Sequence, residues 1–262
     1  MNFSDLRKMR VVSGDMSVDQ GLRSYMVGVY ALMSLGLLVT ALAAYTVSSL
    51  AIANQVTAGA QMLSIGGGQA IYLSSFGQAI FFSPLRYLLI FAPLAVVFIL
   101  GFKINSLSTQ TARMLFILYA ALVGASLSSI FLVYSYSTIA EAFLLSSASF
   151  GSLSLYGYVT KTDLRPLGAF LFMAVIGLIL ASLVNIFIHS ANFSYGLSVV
   201  SVLIFAALTA YDTQIIKEFY YAGDDSDTQE RKIILGALNL YIDFINIFIS
   251  LLQILGFDRN KN

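Results

Sequence analysis

Three acidic residues lie inside long apolar stretches of this sequence: Glu141, Asp212 and Asp243. A charged side chain at the centre of a bilayer costs about 2.5–3.5 kcal/mol on insertion scales, so such residues usually face the interior of a helix bundle or a water-filled cavity. We therefore predict a function for the two aspartates. For Glu141, a hydrogen-bond anchor between helices is an equally good interpretation.

Asp243 belongs to a polar stripe on an otherwise apolar segment rich in Leu, Ile, Phe and Tyr. The members follow one another at spacings of four, three, four and three: Asn239, Asp243, Asn246, Ser250 and Gln253. With about 3.6 residues per turn, these positions share one helix face. Such a face is typical of a helix beside a hydrated path, which Asn239, Asn246 and Ser250 would line. Polar contacts between helices, worth about 0.6–2 kcal/mol each, are the structural alternative.

Asp212 lies in the preceding apolar segment and shares its face by spacing with Ser198, Ser201 and Thr209. Asp212 precedes Lys217 by five residues, and Asp243 follows Lys232 by eleven. In helices, these spacings place the aspartates about 7–8 Å and about 16 Å from the same membrane side. We therefore expect Asp212 and Asp243 to be able to meet on consecutive antiparallel helices.

Two carboxyl groups that meet in a low-dielectric site cannot both ionise cheaply, so they share a proton. Such a pair can alternate between a hydrogen-bonded, protonated lock and a mutually repelling dianion that attracts cations. Carboxylate, hydroxyl and amide oxygens suit Ca²⁺ better than softer metals. We therefore predict a proton-gated cation path, with Asp212 and Asp243 as the gate and as transient Ca²⁺ ligands, and with Glu141 as a further ligand along the path.

The composition shows which elements must position these residues. The 262-residue chain is 58% hydrophobic and 10% charged, with a mean hydropathy of +0.85, whereas a soluble domain carries roughly 25% charged residues. Seven apolar runs approach the roughly 20 residues that a helix needs to cross a bilayer. They are 25–52, 87–104, 114–134, 138–158, 167–188, 195–216 and 233–255.

The sequence therefore predicts an all-α membrane protein, a bundle of seven transmembrane helices. Residues 1–24 form a cytoplasmic N-terminal segment, 25–256 the transmembrane domain and 257–262 a short tail. The chain has no cysteine and a single histidine, which excludes thiol chemistry and a histidine-rich metal centre. It carries no phosphate-binding loop or dinucleotide fingerprint, and its net charge of +1 does not indicate a nucleic-acid partner. We predict neither an enzyme nor a resident cofactor.

The distribution of Lys and Arg predicts the orientation, because cytoplasmic loops carry an excess of both. Basic residues precede the first run and recur in every second connection: Arg7, Lys8, Arg10, Arg23, Lys103, Arg113, Lys161, Arg165, Lys217, Arg231 and Lys232. The N-terminus is therefore predicted to be cytoplasmic. Seven crossings leave the C-terminus outside, although Arg259 and Lys261 lie there, so a last segment that enters and returns stays an alternative.

Several motifs resemble the Bax inhibitor-1 family, also called the transmembrane Bax inhibitor motif family. They are Tyr-Asp-Thr-Gln at 211–214, Asn-Leu-Tyr-Ile-Asp-Phe-Ile-Asn at 239–246, Tyr-Gly-Tyr-Val-Thr-Lys at 156–161, the segment 84–98, and Glu141 in the fourth run. The similarity extends over nearly the whole chain from Tyr25. The glycine-rich first connection, including Gly66, Gly67 and Gly68, fits a bacterial branch.

The resemblance implies a seven-helix fold in which the last helix is central, wrapped by the other six. It implies a paired-aspartate lock at Asp212 and Asp243 and a pH-sensitive Ca²⁺ leak in a bacterial inner membrane. Some members hold the pore closed with a basic residue near the inner end of the second span, for which Lys103 is the nearest match. Bacterial relatives are also linked to restraint of a membrane-bound ATP-dependent protease, so a regulator that binds such a protease is an alternative function.

Paired membrane aspartates also suggest an intramembrane aspartyl protease. Tyr211 and Asp212 fit the first of its two motifs, but Asp243 follows Leu-Tyr-Ile and lacks the glycines that admit a substrate backbone. The chain has three prolines, at 84, 93 and 166, so the Pro-Ala-Leu element of those proteases is also missing. This alternative is therefore weaker than the other two.

Overall fold

The computed structural model describes residues 3–53, 61–65 and 69–259. These residues form nine α-helices and one β-hairpin. The helices are α1 (Phe3–Ala51), α2 (Ser75–Phe82), α3 (Leu85–Lys103), α4 (Thr109–Leu127), α5 (Ile130–Val133), α6 (Tyr136–Val159), α7 (Gly168–Ile188), α8 (Ala191–Glu218) and α9 (Ser226–Arg259). Strands β1 (Gln61–Ile65) and β2 (Gln69–Leu73) pair antiparallel.

Seven segments are long and apolar enough to cross a membrane, which confirms the predicted fold class. They are Gln20–Ala51, Leu85–Lys103, Thr109–Val133, Tyr136–Val159, Arg165–Ile188, Ala191–Glu218 and Ser226–Phe257. The third consists of α4 and α5, and the fifth begins with a 3₁₀ turn at Arg165–Leu167.

Serine side chains set the start of several helices. Ser108, Ser135 and Ser190 each accept a hydrogen bond from the backbone N–H three residues later, at the first turns of α4, α6 and α8. Such caps satisfy amide groups that have no partner within the helix. Between α7 and α8, His189 adopts a left-handed backbone conformation with φ of 54°, which ends α7 and reverses the chain within a short turn.

The long connection after the first span contains structure that the apolar pattern does not predict. The β1–β2 hairpin and α2 both lie there. Gly66, Gly67 and Gly68 lie outside the described residues.

Helix α9 is continuous over 34 residues, about 51 Å at 1.5 Å per residue. It therefore has the length to cross the membrane, and it contains no turn of the kind that a re-entrant segment requires. Its first residue, Ser226, lies seven residues before the predicted run because the helix extends through a polar stretch that carries Glu230, Arg231 and Lys232.

Helix α9 is also the most buried of the seven spans, because half of the residues in its most apolar 18-residue stretch are buried inside the protein. It packs chiefly against four helices, α1, α4, α6 and α8. Helices α3 and α7 pack mainly against α4 and α8, respectively, so α9 is central but its extensive contacts involve four helices rather than six. Leu240, Tyr241 and Ile247 of α9 are fully buried.

Candidate functional site

The antiparallel contact between α8 and α9 determines where the two aspartates lie. Ser250 of α9 donates a hydrogen bond of 2.9 Å to Ser201 of α8. Near the opposite end of the contact, Ile216 of α8 packs against Gly236 of α9, where an added Cβ would lie 3.1 Å from the Ile216 side chain. These two contacts keep the same register over almost the whole shared length. The end of the bundle where α8 ends and α9 begins is called the inner end below.

This register places Asp212 opposite Asn239 and leaves Asp243 four residues further along α9. At 1.5 Å per residue, the two aspartates are offset by about 6 Å along the helix axis, roughly one turn. The structure therefore brings the two carboxyl groups within electrostatic range of each other, in the inner part of the bundle.

Asp243 is deeply buried, with 3% of its surface exposed. Its Oδ2 atom is enclosed and has no hydrogen-bond partner among the described residues. Buried polar atoms in folded proteins are nearly always hydrogen-bonded, so an exception of this kind calls for a functional or chemical explanation.

In the Tyr-Asp-Thr-Gln motif on α8, Tyr211, Thr213 and Gln214 contact neighbouring segments, whereas Asp212 makes no contact of this kind among the described residues. The Tyr211 hydroxyl lies against Gly168 at the start of α7, where an added Cβ would be 2.5 Å from it. The Thr213 hydroxyl lies 3.0 Å from that of Ser154 on α6. Asp212 has no such partner among the described residues, which sets it apart from its neighbours.

Gln214 completes this motif by tying α8 to the connection between α6 and α7. Its amide nitrogen donates to the Thr162 carbonyl at 2.8 Å, and its amide oxygen accepts from the Leu164 backbone N–H at 2.7 Å. Gln214 is 6% exposed, and its bond to the Leu164 N–H is buried. The inner end of α8 is thereby fixed to the loop beside it.

A polar chain across three helices was missed by the sequence analysis. The Tyr30 hydroxyl of α1 lies 2.5 Å from Ser154 of α6, and Ser154 in turn contacts Thr213 of α8. The isolated hydroxyls of Tyr30 and Ser154 give no signal in their own segments. The small residues around Ser154 and Gly157 do indicate close helix approach, and a Cβ on Gly157 would lie 2.2 Å from the Ala210 carbonyl oxygen.

The polar stripe of α9 does not face a single environment. Ser250 is buried, Asn246 is half-buried, and Asn239 is exposed. Gln253 accepts a hydrogen bond of 2.6 Å from Ser198 of α8. The outer part of the stripe therefore makes polar contacts with α8, which is the structural alternative to a water-lined face, whereas Asn239 faces outward at the level of Asp212.

Glu141 and Lys103 lie apart from the aspartates. Glu141 is exposed, near the outer end of α6. It lies 13 residues, about 20 Å along the helix, from Ser154, which marks the level of Thr213. Lys103 is exposed in the last turn of α3, a helix that packs mainly against α2 and α4. The structure brings neither residue to the carboxyl pair.

Ion pairs gather around the inner end. Lys232 contacts Asp224 at 2.5 Å, Arg113 pairs with Glu230, and Arg165 bonds to Asp163 at 2.9 Å. The hydrogen bonds from Arg165 hold the pKa of the Asp163 carboxyl below its usual range. No group of three or more Asp, Glu or His residues within the described part of the chain could hold a metal ion, so the paired aspartates are not part of a larger ligand cluster.

Comparison with known proteins gives matches over most of the chain. Residues 22–260 match the family described as Inhibitor of apoptosis-promoting Bax1. The inner membrane protein YbhL of Escherichia coli is 42% identical over 238 residues, covering 90% of this chain and 92% of YbhL. An uncharacterized protein of Rickettsia prowazekii, RP147, is 37% identical over 254 residues, covering 97% and 98% of the two chains. A Caulobacter vibrioides protein is 40% identical over 246 residues, with coverage of 94% and 93%.

Proposed function

This chain belongs to the Bax inhibitor-1 family, and from that premise we propose that it is a pH-sensitive cation leak, permeable to Ca²⁺, gated by Asp212 and Asp243. The relative named as an inner membrane protein supports a bacterial inner membrane as its location. The placement of Lys and Arg supports a cytoplasmic N-terminus.

The observation that carries this proposal is a pair of carboxyl groups that do not hold helices together by hydrogen bonds among the described residues. Asp243 is almost completely buried, with one oxygen lacking a partner among the described residues, and the register of α8 against α9 places Asp212 about one turn away. The adjacent Thr213 and Gln214 are both engaged in hydrogen bonds between segments. Acids retained within a membrane at positions without a structural bond are candidates for proton sensing.

The gate follows from the energetics of two nearby acids. While one proton is shared, attraction between the carboxyl groups favours close packing of α8 against α9. When that proton leaves, two negative charges repel each other and together attract a cation. Ca²⁺ prefers carboxylate and amide oxygens, and the half-buried Asn246 lies one turn from Asp243 on the same helix.

Ca²⁺ flux into proteoliposomes across a series from about pH 5 to pH 8 tests the gate. Asparagine imitates a protonated aspartate in shape and charge. Asp212→Asn and Asp243→Asn should therefore hold the flux, at every pH, near the value that the unaltered protein shows at the acidic end. Asp163→Asn, which removes an exposed carboxylate, is the matched control and should keep the normal pH response.

Unchanged flux and an unchanged pH response in both gate variants would exclude the aspartate gate. If the purified protein conducts no ions at any pH, the leak itself is excluded. Measurement of substrate turnover by a membrane-bound ATP-dependent protease, with and without this protein, then tests the regulatory alternative.

A further inference from the structure

A cavity of about 450 Å³ lies between α7, α8 and α9, outside the aspartate pair. Val175, Leu178 and Ile179 contribute an apolar wall on α7, whereas serine and amide side chains of α8 and α9 face the other side. None of the described residues that line it is charged. We name it the α7–α8–α9 cavity.

The cavity extends from the outer ends of the helices inward to Asn246 on α9. Asn185 and Ser194 line it within one turn of the end of α7 and the start of α8. At its deepest point, Asn246 lines it and lies three residues from Asp243, about 4.5 Å along the helix. The cavity therefore begins near the outer ends of α7 and α8 and ends within about one turn of Asp243, which does not itself line it.

The polar groups in this cavity indicate water rather than lipid. The Asn185 amide nitrogen donates to Ser194 at 2.5 Å, but its buried Oδ1 atom has no donor among the described residues. A buried amide oxygen without a bond is costly unless water reaches it. The cavity volume of about 450 Å³ greatly exceeds the roughly 10–15 Å³ that one water requires.

The outer polar residues of α9 give one side of the cavity a row of hydroxyl and amide groups. Ser250 bonds to Ser201 and Gln253 accepts from Ser198, so hydroxyl and amide oxygens follow one another toward Asn246. These neutral oxygens can replace part of a cation's hydration shell without trapping the ion, because no fixed charge binds it.

We propose that the α7–α8–α9 cavity is an aqueous vestibule through which hydrated cations reach Asp243 from the outer side, between the fifth, sixth and seventh spans. This inference rests on the proposed leak for its physiological meaning. Its structural content, access of water from outside to the middle of α8 and α9, is independent of conduction.

Single cysteines test that access directly, because the chain contains none. Ser201→Cys and Ser250→Cys place a thiol in the cavity with little change in volume. Leu203→Cys is the matched control: it lies two residues from Ser201 on the same helix, but on the lipid-facing side, where Leu203 is 66% exposed. Each full-length variant is treated in right-side-out membrane vesicles with a membrane-impermeant, positively charged methanethiosulfonate.

We expect the two cavity thiols to react roughly tenfold faster than the control or more, because the reactive thiolate forms only in contact with water. In proteoliposomes, the positive adduct at Ser201→Cys should reduce Ca²⁺ flux by about threefold or more, and a neutral adduct of similar size by less, because a fixed positive charge opposes cation entry. Should either variant fail to fold, Ser182→Cys probes the same cavity from α7.

Labelling of the cavity thiols no faster than that of Leu203→Cys would overturn the vestibule, even where Ca²⁺ flux is normal. Rapid labelling together with an absence of flux in the unmodified protein would support the vestibule while excluding the leak. A cavity filled by a lipid chain predicts the first of these results.

Discussion

Helices α8 and α9 stay in contact over most of their length, but the inner and outer halves of this pair are surrounded differently. Toward the inner end, Thr213, Gln214 and Lys217 each bond to the α6 region, Lys217 through the Tyr158 carbonyl at 2.7 Å. Toward the outer end, the same two helices face a cavity of about 450 Å³. The closed part of the pair therefore lies at the inner end and includes the level of Asp212, whereas Asp243 lies three residues from Asn246, which lines the cavity.

The largest expected change in stability comes from replacing a glycine that packs against the inner half of the α8–α9 pair, compared with a glycine in its outer half. Gly157→Ala places a methyl group 2.2 Å from the Ala210 carbonyl oxygen, which forces α6 away from the inner half of α8 and should cost about 3 kcal/mol. Gly196→Ala, in the outer half of α8, meets no atom within 4 Å and should be neutral or stabilising by up to about 1 kcal/mol. Thermal unfolding in detergent measures the stability of both variants. Equal changes in melting temperature would contradict the proposed difference in packing between the inner and outer halves.

The next largest change in stability is expected from a glutamine of the inner half, Gln214, compared with a glutamine of the outer half, Gln253. Gln214→Leu removes both bonds and leaves the buried Leu164 N–H without a partner, at an expected cost of about 1–3 kcal/mol. Gln253→Leu removes one bond, to Ser198, beside the cavity, where water can replace it, and should cost less than about 1 kcal/mol. Denaturation midpoints compare the two variants, and a larger loss for Gln253→Leu would show that the outer half is the more tightly fastened.

A smaller effect is expected from the polar chain that links α1, α6 and α8. Ser154→Ala removes the shared partner of Tyr30 and Thr213 and should lower the free energy of unfolding by about 1–2 kcal/mol. Ser152→Ala, an exposed serine two residues earlier on α6, is the control and should change little. If the two variants have the same free energy of unfolding, the hydroxyl groups of Tyr30, Ser154 and Thr213 do not stabilise the inner half.

The smallest effect concerns Asp163 at the inner surface. Its pKa is held below the usual range by the hydrogen bonds from Arg165, so the stabilisation is complete above the ordinary carboxylate pKa of about 3.9 and is lost as the pH falls through the lowered value. Asp163→Asn should thus lower the melting temperature slightly at pH 7 and leave it unchanged in strong acid. A difference that grows toward low pH would contradict this sign.

Much of this architecture could be predicted from sequence because lipid imposes a simple rule on composition. The seven apolar runs match the seven spans, and the spacing from Lys217 and Lys232 implied an offset between the aspartates of about one to two turns, close to the single turn that the register gives. The stripe on α9 follows from helical period alone, and the serines of α8 that it contacts share a face by the same rule.

The remainder depends on which helices are neighbours, and local pattern does not contain that information. Glu141 is acidic and lies in a span, yet it faces away from the pair. Tyr30 and Ser154 contact each other across 124 positions of the chain. The hairpin and α2 in the first connection form outside the seven apolar runs, where the span rule gives no prediction.

The position of α7 at the edge of the bundle has a consequence for any functional measurement. Only 6% of its most apolar stretch is buried, and its main protein neighbour is α8. A transmembrane helix can adjust to a bilayer of different thickness by tilting, and few protein contacts restrain α7 from doing so. Because α7 forms one wall of the cavity, acyl-chain length in the reconstituted vesicles should alter the width of the opening, and lipid composition belongs among the variables to be titrated.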